Sequence, residues 1–406
     1  MSSREVPFAS GVAGGCAKVK KGMHLAVFLD DRISDWEAKG EILSGYFNPD
    51  GIFSRITILS LTPDRPQSET LHLLAGPAEV EYAALGDSRM RLAARTLGLR
   101  PWLLFPLLRR LFETARPRPD LIRGYGDGLA AVAAGLIGRK HGIPYVVSLH
   151  ATPDPEIRRR YSTPKDRMWR WLLSSSVEAA LIGARRLIAV YSPILVYLPP
   201  PARDRAVVIP NVVGCAASRS AAERNDAAAG LQLLWAGRLI PGRDPTPIIE
   251  ALVHRPHDRL TIIGSGPLAE SVRQRADDCG VSARVTMIAS MRNAELVAGL
   301  WKYDAMVLRT DYQELAKPVM EAALAGLPVI INRNPSATLD EYRGFSAIFT
   351  ETTAASYAAA FASLAGDPES RARIEAETRR VAMQRWNPSL VAKRLAETLT
   401  GIARPQ

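Results

Sequence analysis

The sequence predicts an α/β protein of two domains, each built on an open parallel sheet. Three observations predict it. Short apolar runs alternate with helix-length stretches along the whole chain, the pattern of strand–crossover–strand units. A chain of 406 residues exceeds what one core serves and suits two domains of ordinary size. Residues 214–230, rich in Ala, Ser, Arg and Asn and without periodicity, divide the chain as a linker.

Bulk properties narrow the function classes. Hydrophobic residues at 47% and charged residues at 23% are those of a globular protein, and no apolar run of about 18 residues predicts a spanning helix. Residues 1–22 are small and polar, lack the apolar core of a signal peptide, and are expected to form a disordered tail. Cys16, Cys215 and Cys279 lie far apart at no metal spacing, which indicates a reducing, cytoplasmic compartment. The net charge of +11 suits nucleic acid, an anionic membrane surface or anionic substrates. No nucleic-acid module is present, so nucleic acid is not expected as a partner. Residues 89–118 interleave arginines with Leu and with Trp102. They read either as a peripheral contact with anionic lipid on the inner face of the cell membrane, or as core-packing helix with a solvated basic face.

Taken in order, residues 24–29 read as a buried strand, 30–34 as a loop and 36–47 as a helix with Gly40 near its beginning. Ligands of open α/β sheets sit beyond the carboxyl ends of strands, so the stretch 30–40 is expected to face a substrate. Strands follow at 55–61 and 119–124, an Ala- and Gly-rich helix at 127–141, and a strand at 143–150 ending in His150. Residues 156–170 are basic and polar and precede a helix running to 184; strands at 186–192 and 207–213 close the first domain, with Asn211 turning the chain. The second domain, 231–385, opens on a strand at 231–239 that carries Gly237 and leads to Arg238 and Arg243. Two cations five residues apart on one loop can clamp a diphosphate. At 259–269 a strand enters Gly264-x-Gly266-x-x-Ala269, the form of a dinucleotide-binding turn. That motif wants a carboxylate at the end of the next strand, here 284–290, and none is present, which argues against nicotinamide.

Residues 293–302 read as a helix and 303–308 as a strand, which runs into a polar loop at 311–317. A helix follows at 318–326, with Pro318 suited to its first turn and Gly326 to its stop, then a strand from 327. The N-terminus of that helix can hold a phosphate. Glu321, one turn inside, either accepts two ribose hydroxyls or is a solvated surface glutamate. A last strand at 346–350 and helices at 353–365, from 368, and at 386–406 complete the chain.

The stretch 313–329 resembles the signature of retaining glycosyltransferases of family four, which have the GT-B fold. The usual form is Glu, seven residues, Glu, then Ala and Gly-x-Pro-Val; Glu321, Ala322, Gly326, Pro328 and Val329 are in step. Gln313 stands at the first glutamate's place, with Glu314 one position later. Gly237-Arg238-Leu239 and Gly264-x-Gly266-Pro-Leu resemble two further family turns, and Arg243 stands where the family has lysine. The resemblance implies two Rossmann-like domains facing each other across a cleft, with the 386–406 helix crossing back to the first.

It also implies the site. Glu321 would hold the ribose, Ser290 and Met291 would border the base, and Gln313, Glu314, Leu315 and Ala316 would lead the chain past the sugar and phosphates. Gly40, Gly237 and Gly266 would let the substrate approach backbone, and His150 would lie beside the transferred sugar. His150, Arg238, Arg243 and Lys317 form the expected catalytic set. The implied reaction transfers a sugar from a nucleotide diphosphate sugar to a glycan or lipid-linked hydroxyl in polysaccharide or glycoconjugate biosynthesis. The sequence holds no Asp-x-Asp and no metal-spaced cluster, so neither metal nor cofactor is expected. Two rivals share the fold: a nucleotide-sugar epimerase or hydrolase, and a degenerate glycan- or partner-binding protein, for which Gln313 is the main support.

Overall fold

The computed structural model describes residues 22–215, 230–333, 340–342 and 345–403. The expected tail up to residue 21, with Cys16, and the linker from 216 to 229 lie outside the described residues. The strands of the first sheet are β1 (His24–Leu29), β2 (Arg55–Ser60), β3 (Glu79–Ala84), β4 (Leu121–Tyr125), β5 (Tyr145–Leu149), β6 (Arg186–Ala189) and β7 (Ala206–Val208). They are ordered 3-2-1-4-5-6-7, and every pair is parallel. The second sheet holds β8 (Gln232–Ala236), β9 (Arg259–Ile263), β10 (Val285–Ile288), β11 (Ala305–Leu308), β12 (Val329–Asn332) and β13 (Ile348–Thr350). Its order is 10-9-8-11-12-13, again parallel throughout. Strand order therefore reverses between β1 and β4 and between β8 and β11, and the crevice beyond the carboxyl ends of those pairs is where each domain can take a ligand.

The elements follow from residue type. β1 is buried along its whole length, as a strand covered on both faces must be. The helix Leu129–His141 lies close on the first sheet because its contact face is Ala and Gly: a Cβ on Gly138 would strike the Tyr145 ring, and one on Gly124 the backbone of Ala130. The helix Pro368–Trp386 covers the second domain, and the chain then crosses back. Pro388–Ala403 buries Val391, Leu395, Leu399 and Ile402 in one cluster with Leu25, Val27, Ile56, Ile58 and Leu121 of the first domain.

The largest differences from the sequence reading are in two helices and in the strands read at 186–192 and 207–213, which are Arg186–Ala189 and Ala206–Val208. The helix read at 36–47 is Ile33–Lys39, and Gly40, left-handed at φ 68°, ends it rather than beginning it. Its first turn is capped from another loop: the Asp64 carboxylate accepts from the N–H of Ile33 (2.6 Å) and of Ser34 (3.3 Å). The second helix starts at Pro164, well before residue 170, because Thr163 and Asp166 form a capping box.

Residues 89–118 pack one face into the core, as the second of their two readings expects, and leave a few apolar side chains exposed. The helices Arg89–Arg95 and Pro101–Phe112 bury Leu92, Leu104, Leu108, Leu111 and Phe112. Between them Leu97, Gly98 and Leu99 all have positive φ, which holds the Leu97 side chain in solvent. Met90 and Trp102 are also exposed, as are Met168 and Trp171 on the neighbouring Pro164–Gly183 helix. Among the described residues no helix is long and apolar enough to cross a membrane.

Candidate active site

The two crevices face each other and are bridged by direct contacts. Thr152 Oγ1 donates to the Gln313 carbonyl (2.6 Å), and Gln313 Nε2 donates to Asp154 Oδ2 (3.2 Å). The Asn293 N–H donates to the Gly40 carbonyl (2.9 Å), and Ser290 Oγ to that of Ala38 (2.7 Å). Glu341 accepts from the Ser192 N–H (2.6 Å) and hydroxyl (2.9 Å), and the Tyr161 hydroxyl donates to Asp311. The domains are closed on one another.

One group of expected residues converges in this cleft. His150, at the exit of β5, stacks on Tyr125 at the exit of β4 with ring centroids 4.0 Å apart. Its Nε2 is buried without a partner. Burial holds its pKa well below the ordinary 6.5, and the charges of Arg123 and Lys317 push the same way, so the ring is neutral at pH 7. Lys317 opens the helix Lys317–Leu324 and reaches across the cleft, its Nζ 3.4 Å from the Tyr46 hydroxyl and 5.2 Å from that ring's centroid. Burial pulls the lysine's pKa down, but Tyr46, Glu41 and Glu321 outweigh it and the net shift is upward. Glu321 is buried on the same helix. Its Oε1 accepts from Asn293 Nδ2 (2.7 Å) and the Gly214 N–H (3.3 Å), while Oε2 has no partner. Burial raises its pKa from 4.5 to about 7. A solvated surface glutamate is thereby excluded.

Other expected residues are placed differently. Arg243 is not free to clamp a diphosphate: its Nε and Nη2 grip both oxygens of Glu314 (2.7 Å at Nε), and its guanidinium lies over the Tyr312 ring. Arg238 is exposed on the same loop. Gly237 and Gly266 serve loop packing. A Cβ on Gly266 would overlap the Leu239 carbonyl, and one on Gly264 that of Gly237, so the dinucleotide-like turn is a close approach of two loops. Gly40 meets the second domain rather than open cleft, since a Cβ there would lie 2.5 Å from the Met291 carbonyl. Ser290 and Met291 thus hold the end of the Ile33–Lys39 helix. Leu315 is buried, and Ala316 caps the Lys317–Leu324 helix.

Several residues of the cleft escaped the sequence reading. Arg123, in the middle of β4, is 4% exposed and donates from Nε to Ser148 Oγ (2.8 Å), leaving Nη1 without a partner. Tyr46 and Tyr125 join hydroxyls beside it, and Asn293 holds Glu321. An arginine at a mid-strand position facing the core is a legible anomaly; the tyrosine pair is not, because its members are 79 residues apart.

The family model described as "Glycosyl transferases group 1" matches residues 223–381, and "Glycosyltransferase Family 4" matches 55–216. A GDP-mannose-dependent alpha-(1-6)-phosphatidylinositol monomannoside mannosyltransferase of Mycolicibacterium smegmatis is 30% identical over 40% of this chain and 46% of its own length. A 2-deoxystreptamine N-acetyl-D-glucosaminyltransferase of Streptomyces fradiae is 26% identical over 52% of this chain and 54% of its own. The chain thus spans about half the length of these curated relatives. Among solved structures, Anabaena HepE in complex with UDP and glucose superposes with a TM-score of 0.71 at 18% identity, covering 93% of this chain and all of that one. Sucrose-phosphate synthase of Thermosynechococcus elongatus reaches 0.70 at 14% identity, over 93% and 98%. At these identities the structural likeness shows the shared GT-B architecture.

Proposed function

The chain belongs to the glycosyl transferases of group 1, and from that membership we propose its reaction. It moves a sugar from a nucleotide diphosphate sugar to a hydroxyl of a glycan or lipid-linked acceptor, with retention at the anomeric carbon and without a metal. Glu321 holds the ribose, and its unpartnered Oε2 is the atom that takes a hydroxyl. Departure of the diphosphate builds negative charge, which Lys317, Arg238 and the N–H groups opening the Lys317–Leu324 helix neutralise. Arg243 is a positioning residue, fixing Glu314 and with it the loop that carries Gln313 to the cleft. The acceptor oxygen bonds to the anomeric carbon on the face the diphosphate leaves, and the leaving phosphate takes the acceptor's proton. No protein nucleophile is required. The exposed apolar and basic tip at Leu97, Trp102 and Trp171 supports an acceptor presented at an anionic lipid surface.

One observation carries the reading: His150 Nε2 and Glu321 Oε2, from opposite domains, are both buried without partners, and Lys317 acts electrostatically on both. Buried polar atoms of this kind want a ligand. A metal-free thermal-shift screen against UDP, GDP, ADP and their sugar conjugates tests it. One nucleotide series should raise the melting temperature, and Glu321→Ala should abolish the rise. No stabilisation by any of them would move the assignment to a degenerate binding protein, and turnover without an acceptor to an epimerase or hydrolase.

A further inference from the structure

We propose that the cavity beneath His150 is a subsite for an oxyanion carried by a substrate, a carboxylate or a phosphoryl group, and that Arg123 binds it. The cavity is about 30 Å³ and is lined by Arg123, Tyr46, Tyr125, His150 and Asn211 together with apolar side chains. That volume takes an oxygen or two, so the charged tip of a ligand enters while the rest stays in the cleft. The lining offers donors: a guanidinium, a side-chain amide and one phenol proton, the other being spent within the Tyr46–Tyr125 hydroxyl pair. No carboxylate contributes to it.

Arg123 is the residue that needs the ligand. It is 4% exposed, and its hydrogen bond goes to a neutral hydroxyl, Ser148 Oγ. Among the described residues no carboxylate lies within ion-pair distance, Nη1 has no partner, and the Tyr125 ring lies 5.4 Å from the guanidinium carbon. A buried guanidinium without a counter-charge is costly, and a fold keeps one where an anion repays it. Local electrostatics agree. The same charge, with that of Lys317, helps keep His150 neutral, so the pocket is positive and lacks an acid. Its position also suits a substrate. It lies at the carboxyl ends of β4 and β5, next to the β1/β4 reversal, and Tyr46 links it to Lys317 of the second domain. Arg123 would thus select acidic sugars or phosphorylated acceptors over neutral ones.

The proposal rests on the transferase reading for what the ligand belongs to, but its test is separable. Wild-type protein, Arg123→Gln and Arg123→Lys would be titrated calorimetrically with methyl glucuronide, neutral methyl glucoside and glycerol 1-phosphate, with and without the nucleotide found to stabilise the protein. Either anionic probe should bind at least tenfold more tightly than methyl glucoside, and which one does so identifies the source of the oxyanion. Arg123→Gln should erase the preference, and Arg123→Lys should retain part of it. If Arg123→Gln does not fold, stabilisation of wild-type protein by inorganic phosphate over chloride at equal ionic strength supplies the readout, diminished in Arg123→Lys. Equal affinities for all three probes, or a preference that survives Arg123→Gln, would overturn the proposal. Loss of nucleotide binding with an intact, Arg123-dependent preference would instead sink the transferase reading alone.

Discussion

At the scale of single residues, Glu321 sets a pH dependence whose sign is fixed by its surroundings. The unfolded chain sheds this proton near pH 4.5, whereas the folded protein keeps it to about pH 7 because the carboxyl is buried. Asn293, Gly214 and Lys317 oppose that shift, and Glu41 adds to it. A folded pKa raised above the unfolded one means that the folded state binds more protons between those values, so stability falls from pH 4.5 to 7 and levels above. The gap is worth roughly 3 kcal/mol. Glu321→Gln should therefore match wild type in urea unfolding at pH 4.5 and exceed it at pH 8, by about 1–3 kcal/mol. Nucleotide binding should run oppositely. Ribose hydroxyls prefer the ionised carboxylate, so wild-type affinity should rise from pH 6 to pH 8 while that of Glu321→Gln stays low and flat. Parallel pH profiles for the two proteins would show that Glu321 does not meet the ribose.

At the scale of elements, the dinucleotide-like turn shows what a motif cannot say alone. Gly264 and Gly266 adopt φ of 149° and 151°, and neither has room for a Cβ against the backbone of the 237–239 loop. Backbone carbonyls cannot swing aside as a flexible side chain does. Gly266→Ala should cost about 3 kcal/mol or more in urea unfolding. Gly299→Ala, with nothing near its Cβ, should change stability by less than about 1 kcal/mol. Equal effects would mean that the two loops do not depend on this approach. The strands and the two-domain division were legible because buried parallel strands are short apolar runs, as at β1, β5 and β11. The start of the Ile33–Lys39 helix was not, because its cap is Asp64 from another crossover; the start at Pro164 was legible in Thr163-Pro-Lys-Asp166 and was missed. The same contrast holds in the cleft. Glu321 and His150 stand at motif positions, whereas the Arg243–Glu314 pair joins residues 71 apart and redefines what each can do.

At the scale of the whole molecule, the charge of +11 has a direction. The exposed side chains Met90, Leu97, Trp102, Met168 and Trp171 lie on the first domain around the turn in which Leu97 and Leu99 take positive φ. Gly98 packs against Leu172, which joins that turn to the helix carrying Met168 and Trp171. Arg91 and Arg100 are exposed beside it and, like Arg110 in the last turn of the Pro101–Phe112 helix, pair with no carboxylate among the described residues, while Arg95 and Arg109 are held by Asp87 and Glu113. Three unpaired arginines near an anionic surface contribute about 1 kcal/mol each at moderate salt, and two tryptophans add apolar burial that salt does not weaken. Neither contribution suffices alone. The protein should therefore float with vesicles containing phosphatidylserine and remain unbound to vesicles of phosphatidylcholine alone. Trp102→Ser with Trp171→Ser should release it at physiological salt, and 0.5 M salt should release wild type. Nucleotide affinity should be unchanged in that variant, because neither tryptophan touches the cleft. Flotation that ignores lipid charge, or survives both substitutions, would place any membrane contact elsewhere on the molecule and leave the exposed tip without a lipid partner.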